Sequence, residues 1–363
     1  MRVLYDIAVI GGGPAGTAAS VTAARLGAKV LLLDRDTFPR PKVCGEFVSP
    51  EALGLLTELL GTANALLSQS IAINRGRVFL GGRLSTLEIR PAARSIPRYD
   101  LDYELWQAAR QSGVDARSAE AVKNVEGDGP FTIQTSQASY RAEAVINASG
   151  RWSGVCGTPR APEGPKWLGL KAHYRTTTSA DSVDLYFFRH GYCGVQPVGK
   201  SVVNVCAMVR SDVARNLDEV FGHNALLESL SRDWQLVGEP LTTAPLVHAP
   251  PSPTSGQILQ AGDAAGFIDP FLGDGISLAL HTGVAAAKAA CLFVGGEMDL
   301  RPAATRYATE YELRFTPAFR KAARLRRLLS VRPLQPALAG FLKTPYLAEW
   351  ILRQTRPGPL AAD

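Results

Sequence analysis

Hydrophobic positions in the first third of the chain change period in a defined order. Residues 3–10, VLYDIAVI, form the short apolar run of a buried parallel strand, and glycines 11–13 end it. From Ala15 to Leu26 apolar residues recur at helical spacing, and AKVLLL at 28–33 is a second strand. A right-handed crossover then sets both strands parallel in one sheet. Past the Pro-rich loop 38–50, the spacing predicts a helix over 51–67 and β structure over 71–98 around the turn Gly81-Gly82. Asp100 is placed to cap a helix that carries Leu101, Leu105, Ala108 and Ala109 on one face. Short strands follow as far as AVIN at 144–147.

From 167 to 210 the pattern changes to WLGLKAHYRT, VDLYFF, GYCGVQPV and SVVNVCAMV, β-rich segments separated by turn residues. This predicts an antiparallel sheet rather than further strand-helix-strand units. A helical region near 216–234 and strands near 241–248 and 257–261 lead to a long helix over about 274–294, and the Pro-punctuated remainder is helical. Residues 275–296 are the most apolar stretch, but His281 and Lys288 interrupt the run a membrane span requires, so no transmembrane helix is predicted.

The first candidate chemistry lies between the two opening strands. Residues 11–16, GGGPAG, satisfy G-x-G-x-x-G through Gly11, Gly13 and Gly16, after a strand and at the start of a helix, with Asp34 closing the second strand. In that context the pattern is a dinucleotide fingerprint: one glycine for the tight turn, one for close approach of the pyrophosphate, one for helix–strand contact. The helix N-terminus offers unpaired N–H groups to phosphate, and Asp34 can accept ribose hydroxyls. Pro14 and Ala15 complete the turn and Arg35 adjoins the acid, so all are cofactor-side candidates.

Residues 259–276, LQAGDAAGFIDPFLGDGI, resemble the second flavin-binding motif of the p-hydroxybenzoate-hydroxylase-like FAD enzymes, specifically their geranylgeranyl-reductase subgroup. The loop FPRPKVCGEFVSP at 38–50 resembles that subgroup's Lys-x-Cys-Gly-Glu stretch, and RYDLDYELWQAA at 98–109 resembles its Arg-x-x-Asp-x-x-Leu segment with one acid shifted. The resemblance implies FAD as cofactor. It implies that Asp263, next to Gly262, holds the ribityl chain, that Pro270 lies beside the isoalloxazine, and that Gly273, Asp274, Gly275 and Ile276 bring backbone amides and a helix dipole to the pyrimidine end of the ring. Asp274 is alternatively a plain N-cap. Lys42, Arg40 and Arg98 are read as cofactor-side cations.

The resemblance implies a fold class of α/β with an α+β second part. A Rossmann-like FAD-binding domain (1–70, 100–160 and 255–296) is interleaved with an antiparallel β-sheet substrate domain (71–99 and 161–254), and 297–363 is a helical C-terminus. The reaction it implies is reduction of C=C bonds in an isoprenoid-like, lipophilic molecule. Hydride delivered to one carbon leaves the other in need of a proton, and Cys44 is the candidate donor, with Glu46 or a bound water next; the alternative reading of Cys44 is a small core hydrophobe. NASGRWS at 147–153 carries Ser149 where the hydroxylases carry an Asp-Gly acid, which disfavours an aromatic or polyketide-like hydroxylase as the alternative. GYCGVQPVG at 191–199 lacks the tryptophans of the halogenase WxWxIP motif, so halogenation is disfavoured as well. A non-catalytic binding protein for prenylated cargo would have no need of two flavin motifs. There is no second G-x-G-x-x-G, so electrons come from NAD(P)H at the flavin face or from a separate reductase.

Composition narrows the setting. A hydrophobic share of 46% with 20% charged residues is that of a folded globular chain, and a net charge of +6 over 363 residues does not call for nucleic acid. The five cysteines contain no CxxC pair, which suggests neither a disulfide framework nor a metal site and fits a cytoplasmic protein. Arg320, Lys321, Arg324, Arg326, Arg327 and Arg332 crowd a helical stretch that also carries Phe319, Leu325, Leu328 and Leu329. Such a basic amphipathic helix suits peripheral contact with an anionic membrane; the plainer reading is a solvated basic face. His173, His190, His223, His248 and His281 lack ligand spacing and are read as structural.

Overall fold

The structure, a computed structural model, describes residues 4–152, 164–177 and 181–330. It opens with β1 (Leu4–Ile10), α1 (Pro14–Arg25) and β2 (Val30–Leu33). The two strands pair in parallel with Ile10 opposite Leu33, so the glycine turn and Asp34 emerge side by side at the carboxyl edge of the sheet. All four residues of β2 are buried, as a strand covered on both faces requires.

After β3 (Phe47–Val48), the single helix expected over 51–67 is two, α2 (Pro50–Leu60) and the short α3 (Ala65–Gln69). Gly61 ends α2 at φ +89°, a conformation the apolar spacing could not reveal. β4 (Ile71–Leu80) and β5 (Arg83–Ser95) form the hairpin around Gly81-Gly82. α4 (Arg98–Gln111) begins before Asp100: Pro97 holds the N-cap position, and Asp100 lies in the first turn. A proline entrance forfeits no helical N–H bond, and an acid one turn in still complements the helix dipole.

β6 (Asp115–Arg117), β7 (Val122–Glu126), β8 (Phe131–Thr135) and β9 (Ser139–Asn147) return to the first sheet, where β9 runs parallel to β1 on the side away from β2. The second sheet is built from β10 (Trp167–Arg175), β11 (Ser182–Phe188), β12 (Gly191–Gly199) and β13 (Val202–Arg210). α5 (Leu217–Phe221) and α6 (Ala225–Ser231) precede its outer strand β14 (Gln235–Leu246). Its order is β14-β10-β13-β12-β11-β4-β5-β3, antiparallel except where β11 meets β4. β3 lies in sequence within the stretch read as cofactor domain yet pairs with β5, so the loop 38–50 bridges both sheets.

The chain re-enters the first sheet through β15 (Thr254–Ser255) and β16 (Ile258–Gln260), β16 parallel to β9. Then come α7 (Gly275–Val294), α8 (Leu300–Arg314) and α9 (Thr316–Ser330). α7 is long and apolar enough to cross a bilayer, but most of its residues are buried inside the fold, so it is a core helix. Gly283 permits this: a Cβ there would stand 2.1 Å from the Ala15 carbonyl oxygen of α1.

Candidate active site

One cavity of about 870 Å³ runs from the glycine turn to the face of the second sheet. At its polar end the turn is shaped by sterics. A Cβ on Gly11 would meet the Ala148 carbonyl oxygen at 2.4 Å, and one on Gly16 would meet the Gly11 carbonyl oxygen at 1.8 Å, so both glycines serve the fold. Gly13 differs: the nearest protein atom to its Cβ would be Arg98 Nη2 at 3.9 Å, leaving open space over the N-terminus of α1. A gap of this kind at a helix N-terminus is what a pyrophosphate would need. Pro14 and Ala15 line the same end.

Asp34, buried at the end of β2, accepts from Gly12 N at 2.6 Å and Asp36 N at 2.8 Å and pairs with Arg40 Nη2 at 3.1 Å. Arg40 lies over the Phe38 ring, which stacks on Trp106 at 4.3 Å. Arg40 is thus held among Asp34, Asp36 and Asp102, three carboxylates of the fold. Lys42 pairs with Asp36 at 3.1 Å, and Arg35 pairs more loosely with the same acid at 3.7 Å. The cation nearest the open space over Gly13 is Arg98, gripped by the fully buried Asp102 at 2.6 and 2.8 Å. Burial works against its charge, and Asp102 with help from Cys44 overrides this and holds the guanidinium's pKa above its ordinary value.

The second motif closes the other side. Gly262, Asp263, Pro270, Gly273, Gly275 and Ile276 all line the cavity. Gly273 is left-handed at φ +76°, and a Cβ there would strike the Phe47 ring at 2.7 Å. Asp274 takes the N-cap position of α7, but its side chain accepts no cap hydrogen bond. Asp263 faces Arg151 Nε at 3.5 Å, and Arg151 lies over the Phe267 ring with its Nη1 buried and unpartnered. A buried guanidinium nitrogen with no acceptor and an open space over Gly13 are what an anionic dinucleotide would satisfy. The residues present therefore fit FAD, held by the α1 turn and Asp34 at one end and by Asp263, Arg151 and the entrance to α7 at the other.

Cys44 is half-buried and borders this cavity as expected. Glu46 departs from its reading as a reserve proton donor. Fully buried, it accepts from Arg98 N at 2.9 Å, meets His173 Nε2 at 2.8 Å and pairs with Lys171 Nζ. Burial alone would raise its pKa, but the His173 hydrogen bond and the Lys171 charge hold it below the usual carboxylate value. It stays an anion with no proton to give. His173 is accordingly no inert structural histidine. Lys171, Asp102 and Arg151 went unread in the sequence, although Arg151 stands inside the NASGRWS segment; nothing local distinguishes a strand lysine that will be buried against a carboxylate 125 residues away.

The far end of the cavity is apolar: Val78, Leu87, Ile89, Leu185, Phe187 and Leu246 line it. Leu325 of α9 contributes to its wall. Among the described residues no cluster of His, Cys, Asp or Glu could hold a metal.

Residues 6–39 match a family model described as FAD dependent oxidoreductase. The chain is 28% identical over 98% of its length to the conditioned medium factor receptor 1 of Dictyostelium discoideum, covering 78% of that protein. It is 27% identical over its full length to the menaquinone reductase of Mycolicibacterium smegmatis, covering 98% of that protein. A digeranylgeranylglycerophospholipid reductase of Methanocaldococcus jannaschii is 26% identical over 79% of this chain and 77% of its own. Among solved structures, a geranylgeranyl bacteriochlorophyll reductase-like protein from Thermoplasma acidophilum superposes with a TM-score of 0.81 at 22% identity, over 97% of this chain and 95% of its own. A flavin-dependent brominase superposes at 0.80 and 20%, over 97% of this chain and 93% of its own. The fold is therefore the mixed α/β fold of these two solved structures, and the described residues end in the helices α8 and α9; the rest of the stretch 297–363 read as a helical C-terminus lies outside the described residues.

Proposed function

We propose that this protein is an FAD-dependent oxidoreductase that reduces C=C bonds of an isoprenoid-like lipid. The observation that carries the reading is the continuous cavity, which joins a dinucleotide turn to an uncharged apolar wall with a thiol at the junction. FAD, when bound and reduced, supplies the hydride. The apolar wall excludes water and aligns the chain of the substrate. Cys44 gives its proton to the carbon opposite the one that takes the hydride, which balances the addition of two electrons and two protons' worth of charge as one hydride and one proton. Arg98 stands within interaction distance of Cys44, and solvent restores the donated proton. The lipid-reductase relatives support the substrate class, and the quinone-reductase relative extends it to prenylated quinones.

Resemblance to a brominase supports a second reading, oxidative chemistry with oxygen and halide. The deciding experiment uses protein reconstituted with FAD and reduced by dithionite. Mixed anaerobically with prenyl lipids, it should lose its reduced-flavin absorbance as saturated product forms. Cys44→Ala should keep FAD but slow this step by about 10²–10⁴-fold, the usual worth of general acid catalysis. No turnover with any prenyl lipid, together with brominated or hydroxylated product under oxygen and bromide, would establish the second reading.

A further inference from the structure

Residues 42–46 carry Cys44 across the gap between the sheets, and the contacts that hold them come from below. Lys171 Nζ donates to the Lys42 carbonyl oxygen at 3.2 Å as well as to the Glu46 carboxylate. His173 Nε2 meets the other carboxylate oxygen at 2.8 Å. Asn204 Nδ2 donates to the carbonyl oxygens of Cys44 at 3.1 Å and Gly45 at 2.9 Å. Lys171 and His173 are two apart on β10, and Asn204 stands opposite His173 on β13, so all three project from one face of the second sheet.

The loop needs this restraint. Glu46 sits at φ +61°, a left-handed conformation that a non-glycine residue keeps only where its surroundings over-determine it. Its carboxylate also takes the N–H of Arg98, the first residue of α4, whose N-cap is a proline with no side-chain cap to offer. One buried anion thus ties the thiol loop, the substrate sheet and the helix bearing Arg98.

We propose that Lys171, His173 and Asn204 are positioning residues that hold Cys44 at the cavity junction, with Glu46 as the buried anchor they share. They touch the loop backbone and the anchor rather than any reacting atom. The consequence for turnover rests on the reading of Cys44 as proton donor; the restraint itself does not. The test therefore reads the thiol directly. FAD-loaded wild type, Lys171→Met, His173→Leu and Asn204→Ala are treated with iodoacetamide, and each cysteine's labelling rate is followed by peptide mass spectrometry.

Loss of a hydrogen bond to a charged group should raise Cys44 labelling by roughly ten- to a hundredfold in Lys171→Met and His173→Leu, with a smaller rise in Asn204→Ala. Cys291, remote from the loop, should keep its rate, and the buried Cys193 should stay unlabelled. Lys171→Arg should restore much of the wild-type rate. With a prenyl lipid, kcat should fall in the same order while KM holds, because alignment of the thiol is lost and the apolar wall is not. Cys44 labelling unchanged in all three variants would overturn the proposal. So would a rise shared by Cys193, which would make the cluster a support of the whole fold. If Cys44 labelling rises alone but no lipid is reduced by any form, the restraint stands and the reductase reading fails.

Discussion

At the scale of single residues the chemistry is governed by what each charge is paired with, and Glu46 shows this most sharply. A carboxylate removed from water would ordinarily become a weak acid, but here three donors converge on it and its pKa falls below the usual 4.5. A group whose folded pKa is depressed contributes stability that is fully present above its unfolded pKa and is lost as pH falls through the folded value. Wild type should accordingly begin to lose stability as pH falls below about 4.5, where the unfolded chain takes up the proton first, and the pairs with Lys171 and His173 break only at still lower pH, where folded Glu46 is itself protonated. Glu46→Gln leaves the Lys171 ammonium buried without its counter-charge, at a cost of roughly 3–5 kcal/mol at pH 7. The difference between the two proteins should shrink toward acid pH in thermal melts, and parallel melting profiles from pH 7 to pH 3 would show that Glu46 is not the group responsible. None of this was legible in the sequence. Cys44 and Glu46 stood out through the Lys-x-Cys-Gly-Glu pattern, yet the partners that decide Glu46's protonation arrive from β10, and burial of a lysine against a distant acid leaves no local periodicity to read.

Among elements, those with a repeating apolar period were legible and those defined by a backbone dihedral were not. The unit β1–α1–β2 and helix α7 were visible because buried strands and an apolar helix announce themselves over many residues. The break between α2 and α3 at Gly61 and the early start of α4 at Pro97 turn on one residue each. The glycine turn was legible as a motif, but only the structure separates its glycines into those that serve packing and the one that faces a ligand. This separation makes a test. Gly13→Val places its Cβ 3.9 Å from its nearest neighbour, Arg98 Nη2, without a clash, so the variant should fold and melt close to wild type yet retain little or no FAD. Gly283→Ala is the counterpart: it forces a Cβ to 2.1 Å from the Ala15 carbonyl oxygen, where overpacking costs about 1–3 kcal/mol or more, and any loss of FAD should follow loss of fold. Recovery of Gly13→Val with a full complement of flavin would remove the turn from the cofactor site.

Over the whole molecule, α9 connects the cavity to the outside. Leu325 forms part of the cavity wall, while Arg326 reaches the buried Asp269 at 3.3 Å, next to Pro270 of the second motif. The outward face carries Arg320, which pairs with Glu312 at 3.8 Å, together with Arg324, Arg327 and Leu328, and Leu313 is exposed at the end of α8. Arg332, read with the same basic stretch, lies outside the described residues. A helix that lends Leu325 to the cavity wall and presents arginines on its outward face is arranged to meet an anionic bilayer, and we propose that the substrate enters there. Attraction of this kind is worth about 1 kcal/mol per basic residue near the surface and is screened beyond a Debye length of about 8 Å at physiological ionic strength. Co-sedimentation with phosphatidylserine-containing vesicles should therefore be strong at low salt and weaken steeply as salt rises. Vesicles of phosphatidylcholine alone should bind little. Reversal of Arg320, Arg324 and Arg327 to glutamate should abolish binding while leaving reduction of a detergent-dispersed prenyl lipid intact, because none of the three lines the cavity. Wild-type protein that fails to sediment with anionic vesicles at low salt would reduce this face to a solvated one and require the lipid to reach the cavity by another route.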